Sequence, residues 1–263
     1  MKKGYVFSLV LALFACMAFS QELQITRYAL SDEKLEQSVT LAVVSDLHNS
    51  VFGKGQSELA EAIHAARPDA VLFTGDMAED LDSLSATRML AEALGGKYPV
   101  YAVTGNHECI SGELDAIRAE LRGMGIKVLA GESEILPCGM RIAGVDNPTK
   151  ETWEEWRKQG YACRFDDDVF TVLLSHRPDL IKYYREDFDL TLTGHAHGGQ
   201  LRIPGILPDG LWAPNQGWFP EYTRGLHAAG EGKMIVSRGL SKGFPPRVFN
   251  RPELVIVELN PAP

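Results

Sequence analysis

Five short apolar runs in this chain end directly in side chains able to hold a metal ion. Residues 40–45 lead into Asp46 and His48, residues 70–74 pass through Gly75 into Asp76, and residues 100–104 pass through Gly105 into Asn106 and His107. Further on, residues 169–174 run through Ser175 into His176, and residues 190–193 through Gly194 into His195 and His197. These clusters take most of the seven histidines. Oxygen and imidazole donors without thiolate suit divalent Mn, Fe or Zn. Asp46 and His48, two residues apart on an irregular turn, can face one ion, and His195 and His197 repeat the device. Asp76 has two carboxylate oxygens and can bridge a pair of ions, while Asn106 offers a neutral carbonyl oxygen and His176 a further imidazole. With Asp76 used twice, the set supplies each of two ions with four protein ligands. Ions ~3.5–4 Å apart can clamp the attacking and leaving oxygens of an in-line displacement and ionise a water near neutral pH. One such turn would read as a structural histidine; five in series, mixing Asp, Asn and His, read as a site.

The runs that carry these residues have β character, and apolar positions recur at helical spacing between them. A helix is expected over 56–66, stopped by Arg67-Pro68, another over 81–94, stopped by Gly95-Gly96, and a third within 112–123 with Leu114, Ile117 and Leu121 on one face. Strands alternating with helices predict parallel pairing through helical crossovers. Side chains just past the carboxyl ends of such strands converge on one edge of the sheet. Residues 23–30 read as an edge strand. After Gly125 the short strands expected at 126–129, 134–136 and 140–145 suggest a meander, followed by a helix over 149–158 and strands at 233–237 and 254–259. The simplest architecture is an α/β fold of two packed sheets with helices outside.

Bulk properties bound the rest. The chain has 263 residues, 45% hydrophobic and 23% charged, enough for one large domain with a sizeable core. A net charge of −9 argues against binding a phosphate backbone, so no nucleic-acid partner is expected. Met1-Lys2-Lys3, an apolar stretch over 4–20 and Ala18-Phe19-Ser20 before Gln21 make residues 1–20 a signal peptide or membrane anchor, with lipidation at Cys16 as a third option. The domain is then 21–263, exported to a periplasmic or other extracytoplasmic location. Cys109, Cys138 and Cys163 match no zinc-thiolate spacing. A Cys138–Cys163 bridge is conceivable, and Cys109 reads as a neutral wall residue in preference to a nucleophile. His64 is expected to be solvated or capping, and the acidic run 166–168 to be a solvated turn. Residues 203–222, rich in proline and glycine, carry Ile206, Trp212, Trp218 and Phe219; they read as a lid, or as a surface for an apolar substrate portion or a membrane. Arg202, Arg224, Arg238 and Arg247 are candidate phosphate contacts that spacing does not separate.

Taken together, Asp46-Leu-His48, Gly75-Asp76, Gly105-Asn-His-Glu108, Ser175-His176 and Gly194-His-Ala-His197 resemble the calcineurin-like metallophosphoesterases over roughly residues 43–201. Gly144-Val-Asp-Asn-Pro148, Gly194-His-Ala-His-Gly-Gly-Gln200 and the stretch from Ser237-Arg-Gly to Arg251-Pro-Glu253 are similar to a bacterial exported or membrane-associated branch related to the UDP-2,3-diacylglucosamine pyrophosphatases. The resemblance implies a four-layer αββα sandwich of two mixed sheets. It implies hydrolysis of a phosphodiester or pyrophosphate bond by a hydroxide activated at two divalent ions, on a lipid-linked or nucleotide substrate. It further implies that Asp46, His48, Asp76 and His197 hold the first ion and that Asp76, Asn106, His176 and His195 hold the second. Catalytic His107 would sit at the leaving oxygen, oriented from the position of Glu79, where many relatives have Asp. Tyrosine is common where this chain has Cys109. The competing readings are a phosphomonoesterase or protein phosphatase, a non-catalytic metal-stabilised binding protein, and a cysteine hydrolase built on Cys109.

Overall fold

The computed structural model describes residues 16–184, 186–243 and 245–263. Among them fourteen strands follow one another: β1 (Gln24–Asp32), β2 (Val39–Val44), β3 (Ala70–Phe73), β4 (Val100–Ala102), β5 (Lys127–Val128), β6 (Glu132–Ile135), β7 (Arg141–Gly144), β8 (Thr171–Leu174), β9 (Leu190–Thr193), β10 (Trp212–Ala213), β11 (Gly217–Trp218), β12 (Gly225–Ala229), β13 (Gly232–Val236) and β14 (Glu253–Pro261). The α-helices used below are α1 (Ser57–Ala66), α2 (Ser85–Leu94), α3 (Asn106–Ile110), α4 (Leu114–Gly123) and α5 (Trp153–Ala162).

Two six-stranded sheets form, ordered β1-β14-β2-β3-β4-β5 and β12-β13-β9-β8-β7-β6, with β10-β11 as a separate hairpin. Strands β2 to β5 are mutually parallel, as are β7, β8, β9 and β13, while β14 against β2, β12 against β13 and β6 against β7 are antiparallel. Both sheets are therefore mixed, and each parallel block presents its carboxyl ends along one rim. Strands β3, β8 and β9 are buried along their whole length because both faces of their sheets are covered.

Side-chain alternation sorts the core into three slabs. In β2, Ala42 and Val44 point outward to Leu59, Ile63, Leu90, Ile117 and Leu121 of α1, α2 and α4. Leu41 and Val43 point inward to Leu72, Ile142, Val172, Leu190 and Val255 between the sheets. Beyond the second sheet, Ala143, Leu173 and Met234 meet Trp156 of α5, Leu180 and Tyr184. The layers are helix, sheet, sheet, helix, the expected αββα sandwich.

Several details differ from the sequence reading. The region after Gly125 is not a meander: β5 closes the first sheet beside β4, and β6-β7 opens the second. Helix α5 begins at Trp153, later than expected, because Thr149 and Thr152 bond one another's backbone and side chains in a turn after Pro148. Cys138 and Cys163 are unbridged. They lie against different slabs, Cys138 between the sheets and Cys163 outside the second, so the sheet separates them. Asp167 is no free turn residue but a bidentate partner of Arg141 at 2.8 and 2.6 Å. His64 bonds Tyr98 Oη at 3.0 Å and the Ala93 carbonyl at 3.3 Å, so it ties α1 to α2 and the chain beyond. The expected leader lies outside the described residues up to position 15; no described helix is long and apolar enough to cross a membrane.

Candidate active site

Every sequence-predicted cluster sits just past a strand. Asp46 and His48 follow β2, Asp76 follows β3, Asn106 and His107 open α3 after β4, His176 follows β8, and His195 and His197 follow β9. The two rims meet: the His195 N–H donates to Asp46 Oδ1 at 3.0 Å, and His176 Nε2 lies 3.1 Å from Asp76 Oδ2. Asp46, His48, Asp76, His195 and His197 all have left-handed backbone, φ between 44° and 66°. That region costs a non-glycine residue roughly 1–2 kcal/mol, and strain of this kind gathers at functional sites. Gly105 and Gly194 are demanded by close approach: a Cβ on the first would strike Asp76 Oδ1, and on the second Ser45 Oγ and Asp46 Oδ2.

Glu108 is the carboxylate that locks two of these loops together. It accepts from the backbone N–H groups of Asp76 (3.0 Å), Met77 (2.6 Å), Ala78 (3.1 Å) and Gly105 (2.8 Å). Burial, reinforced by the charge of Asp76, pushes its carboxyl up to about 7.

The imidazoles are aimed by their outer nitrogens. His176 Nδ1 stands 2.8 Å from the Thr74 carbonyl, which can only accept, so Nδ1–H donates and Nε2 is turned inward. His195 Nε2 likewise donates to Asn215 Oδ1 at 2.6 Å, leaving the Nδ1 lone pair inward. His176 Nε2 then faces His195 Nδ1, Asn106 Oδ1 and Asp76 Oδ2, each at 3.1 Å. Four acceptor atoms directed at one point repel unless a proton or a cation lies among them. Burial opposes charge on His176, but the carboxylate and hydrogen bond of Asp76, with Asp46 behind, outweigh it and raise its pKa to about 9. Burial drives His195 down to about 4 and His197 to about 3, so both are neutral lone-pair donors at neutral pH. Burial would raise the carboxyls of Asp46 and Asp76; the surrounding imidazoles reverse that and hold both below the usual range.

Three groups bring ligand atoms within 4.8 Å of one another: Asp46, His48 and His197; His48, Asp76 and His107; Asp76, His176 and His195. His197 Nε2 is 3.7 Å from Asp46 Oδ1, and His48 Nε2 is 3.6 Å from Asp76 Oδ2. His48 Nε2 is buried with no hydrogen-bond partner, and Asp76 Oδ2 has only His176 Nε2, at 3.1 Å. Buried polar atoms this short of partners are costly unless something fills the gap between them. The hard oxygens and imidazoles present fit divalent cations.

His107 is at the wall of this cluster, its ring edge-on to His48 at 4.7 Å and its N–H donating to Asp76 Oδ1 at 2.9 Å. The expectation that Glu79 orients His107 is corrected. With its backbone N–H held by Ser83 Oγ, Glu79 extends its longer side chain to His48 Nδ1 at 3.7 Å. A cleft of about 270 Å³ opens over the cluster, lined among others by His48, His107, His197, Trp212 and Arg247. Arg247 is the one of the four candidate arginines that lines it. Its Nε and Nη1 donate to the carbonyls of Ser241 and Arg238, both at 2.7 Å, and Nη2 comes 3.4 Å from His197 Nδ1. Arg238 is taken by Glu253 at 2.8 Å, and Arg202 and Arg224 donate to the Pro208 carbonyl. Burial raises the Cys109 thiol to about 12, and Sγ donates to the Asn147 carbonyl, so Cys109 is no activated nucleophile. Asn215 was invisible in the sequence, since its role depends on a hairpin tip folding back 20 residues onto His195. Glu108 stood inside a recognised motif, and only the structure reveals its four bonds.

The family model described as calcineurin-like phosphoesterase matches residues 39–199. An uncharacterized metallophosphoesterase of Aquifex aeolicus (strain VF5) is 31% identical over 257 residues, covering 90% of this chain and 92% of that protein. The phosphodiesterase YaeI of Escherichia coli (strain K12) is 30% identical over 224 residues, covering 82% of this chain and 80% of that protein. The uncharacterized metallophosphoesterase YkuE of Bacillus subtilis (strain 168) is 28% identical, covering 75% and 70%.

Proposed function

Because the chain belongs to the calcineurin-like phosphoesterase family and is thereby a hydrolase of phosphoester bonds, we propose that it cleaves a phosphodiester or pyrophosphate bond at a pair of divalent ions. The observation that carries this reading is the buried Asp76 carboxylate, whose Oδ2 stands between His48 Nε2 at 3.6 Å and His176 Nε2 at 3.1 Å. In this reading Asp46, His48, Asp76 and His197 hold one ion, and Asp76, Asn106, His176 and His195 hold the other. When bound, the ions, of Mn, Fe or Zn, supply an activated hydroxide and positive charge against the phosphoryl oxygens.

The remaining work falls to the chain. His107 holds a proton at the leaving oxygen as the bond to phosphorus breaks, so water is added across the cleaved bond. Arg247, lowered by burial to about 10 and still cationic at neutral pH, is pinned by two carbonyls and offers its guanidinium to a phosphoryl oxygen. The strained loops and Glu108 hold these groups in place before substrate arrives. A diester is favoured over a monoester by the Escherichia coli relative named a phosphodiesterase. The resemblance to the UDP-2,3-diacylglucosamine pyrophosphatase branch extends the candidates to lipid-linked and nucleotide substrates, and the leader-like sequence favours substrates outside the cytoplasm. No residue favours the binding-only reading, since the ligand set and His107 are complete.

The test is turnover of a chromogenic phosphodiester with Mn(II) and with chelator. Asp76→Asn is expected to abolish turnover and lower bound metal. His107→Ala is expected to cost roughly 10²–10⁴-fold with metal retained. Full activity in chelator would remove the metal reading, and full activity of His107→Ala would remove its catalytic role.

A further inference from the structure

The exposed apolar side chains of the 203–222 segment have no counterpart elsewhere in the catalytic reading. Ile206 is 80% exposed, Trp218 68% and Phe219 72%. Trp212 and Trp218 are opposite one another in β10-β11 and so share a face of that hairpin. The segment is fastened to its surroundings by backbone bonds: the Phe219 N–H donates to the Leu211 carbonyl, and the Leu211 N–H to the Gly199 carbonyl, both at 2.9 Å. The apolar side chains therefore project from an anchored loop.

Two neighbours say what covers them. One is the cleft, whose rim includes Gln200, Trp212, Pro214 and Pro245. The other is the end of the apolar N-terminal stretch. The Ala18 carbonyl accepts the Phe249 N–H at 2.7 Å, Val248 pairs with Leu201 as an isolated bridge, and the Arg202 N–H donates to Val248. A hydrogen-bonded path thus joins residue 18, the 200–202 strip and the hairpin. Residues 4–15, which precede it, carry no charged side chain, and Phe19 is itself 54% exposed. The net charge of −9 disfavours a strongly anionic surface.

We propose that the 203–222 segment is a docking surface for a zwitterionic lipid bilayer, entered beside the N-terminal stretch, which sets the mouth of the cleft at the membrane interface. Tryptophan and phenylalanine on an anchored loop are the side chains that partition at headgroup depth. Binding through them is apolar and insensitive to salt. The inference goes beyond the proposed hydrolysis and holds whether or not that reading does.

The test uses the full chain, phosphatidylcholine vesicles and phosphatidylcholine brominated on its acyl chains. The protein is expected to co-sediment with vesicles in low and high salt. Its tryptophan emission should shift to the blue and be quenched by the brominated lipid. In W212F/W218F, which keeps Trp153 and Trp156, the protein should still sediment while shift and quenching are lost. Equal quenching in both proteins, or vesicle binding without quenching, would overturn the proposal, because the N-terminal stretch alone would then hold the protein. Absence of vesicle binding with sedimentation as a dimer would overturn it in favour of a second copy on this face. Hydrolysis of a soluble diester without vesicles reads the catalytic proposal separately.

Discussion

Asn215 and the Thr74 carbonyl decide which nitrogen of His195 and of His176 faces the cluster. Removing such a partner frees the ring to turn and commonly costs about 10–100-fold in metal affinity. Asn215→Ala is therefore expected to weaken Mn(II) binding by that factor in a direct titration while the fold is retained; unchanged affinity would show that packing alone orients His195. The proton on His176 supplies a second prediction. Its pKa of about 9 lies above the unfolded value of 6.5, so the stability that proton adds to the cation-free protein is complete below about 6.5 and is lost as pH rises through about 9. An entering cation must displace it. Apparent metal affinity should then rise about tenfold per pH unit up to about 9 and level off above it. Calorimetry in buffers of different ionisation enthalpy should count about one proton released at neutral pH for the pair of ions bound; no release would mean that His176 is already neutral. The residue types Asp, His and Asn at strand ends were legible in the sequence. Asn215 was not, because a side chain's partner across a hairpin leaves no periodic or local mark. Glu79 shows the same limit, since its approach to His48 depends on side-chain length.

The loops after β3 and β4 are single elements only because Glu108 joins them. Glu108→Ala would strand four buried N–H groups, and even one such orphan costs about 1–3 kcal/mol. The denaturant midpoint should fall accordingly, and metal should be lost together with stability. A stable, metal-replete Glu108→Ala protein would contradict this role. Helices α1, α2 and α4 were legible from apolar spacing, and their limits agree within a few residues because Arg67-Pro68 and Gly95 stop them. The start of α5 was hidden by the Thr149–Thr152 turn, which offers the backbone side-chain bonds in competition with a helix.

At the scale of the molecule, two parallel blocks packed face to face bring their carboxyl rims to the same end, and this makes one site from residues 46 to 197. Alternating strand and helix patterns foretold the parallel blocks. They could not foretell that β1 pairs in parallel with β14 or that β5 belongs to the first sheet, since those pairings are chosen by edge geometry and long-range packing. The central claim is that this shared rim holds two cations with Asp76 between them. Anomalous scattering from crystals soaked in Mn(II) tests it most directly. The account predicts two strong peaks flanking the Asp76 carboxylate, one beside Asp46, His48 and His197 and the other beside Asn106, His176 and His195. A single peak, or peaks away from Asp76, would contradict it.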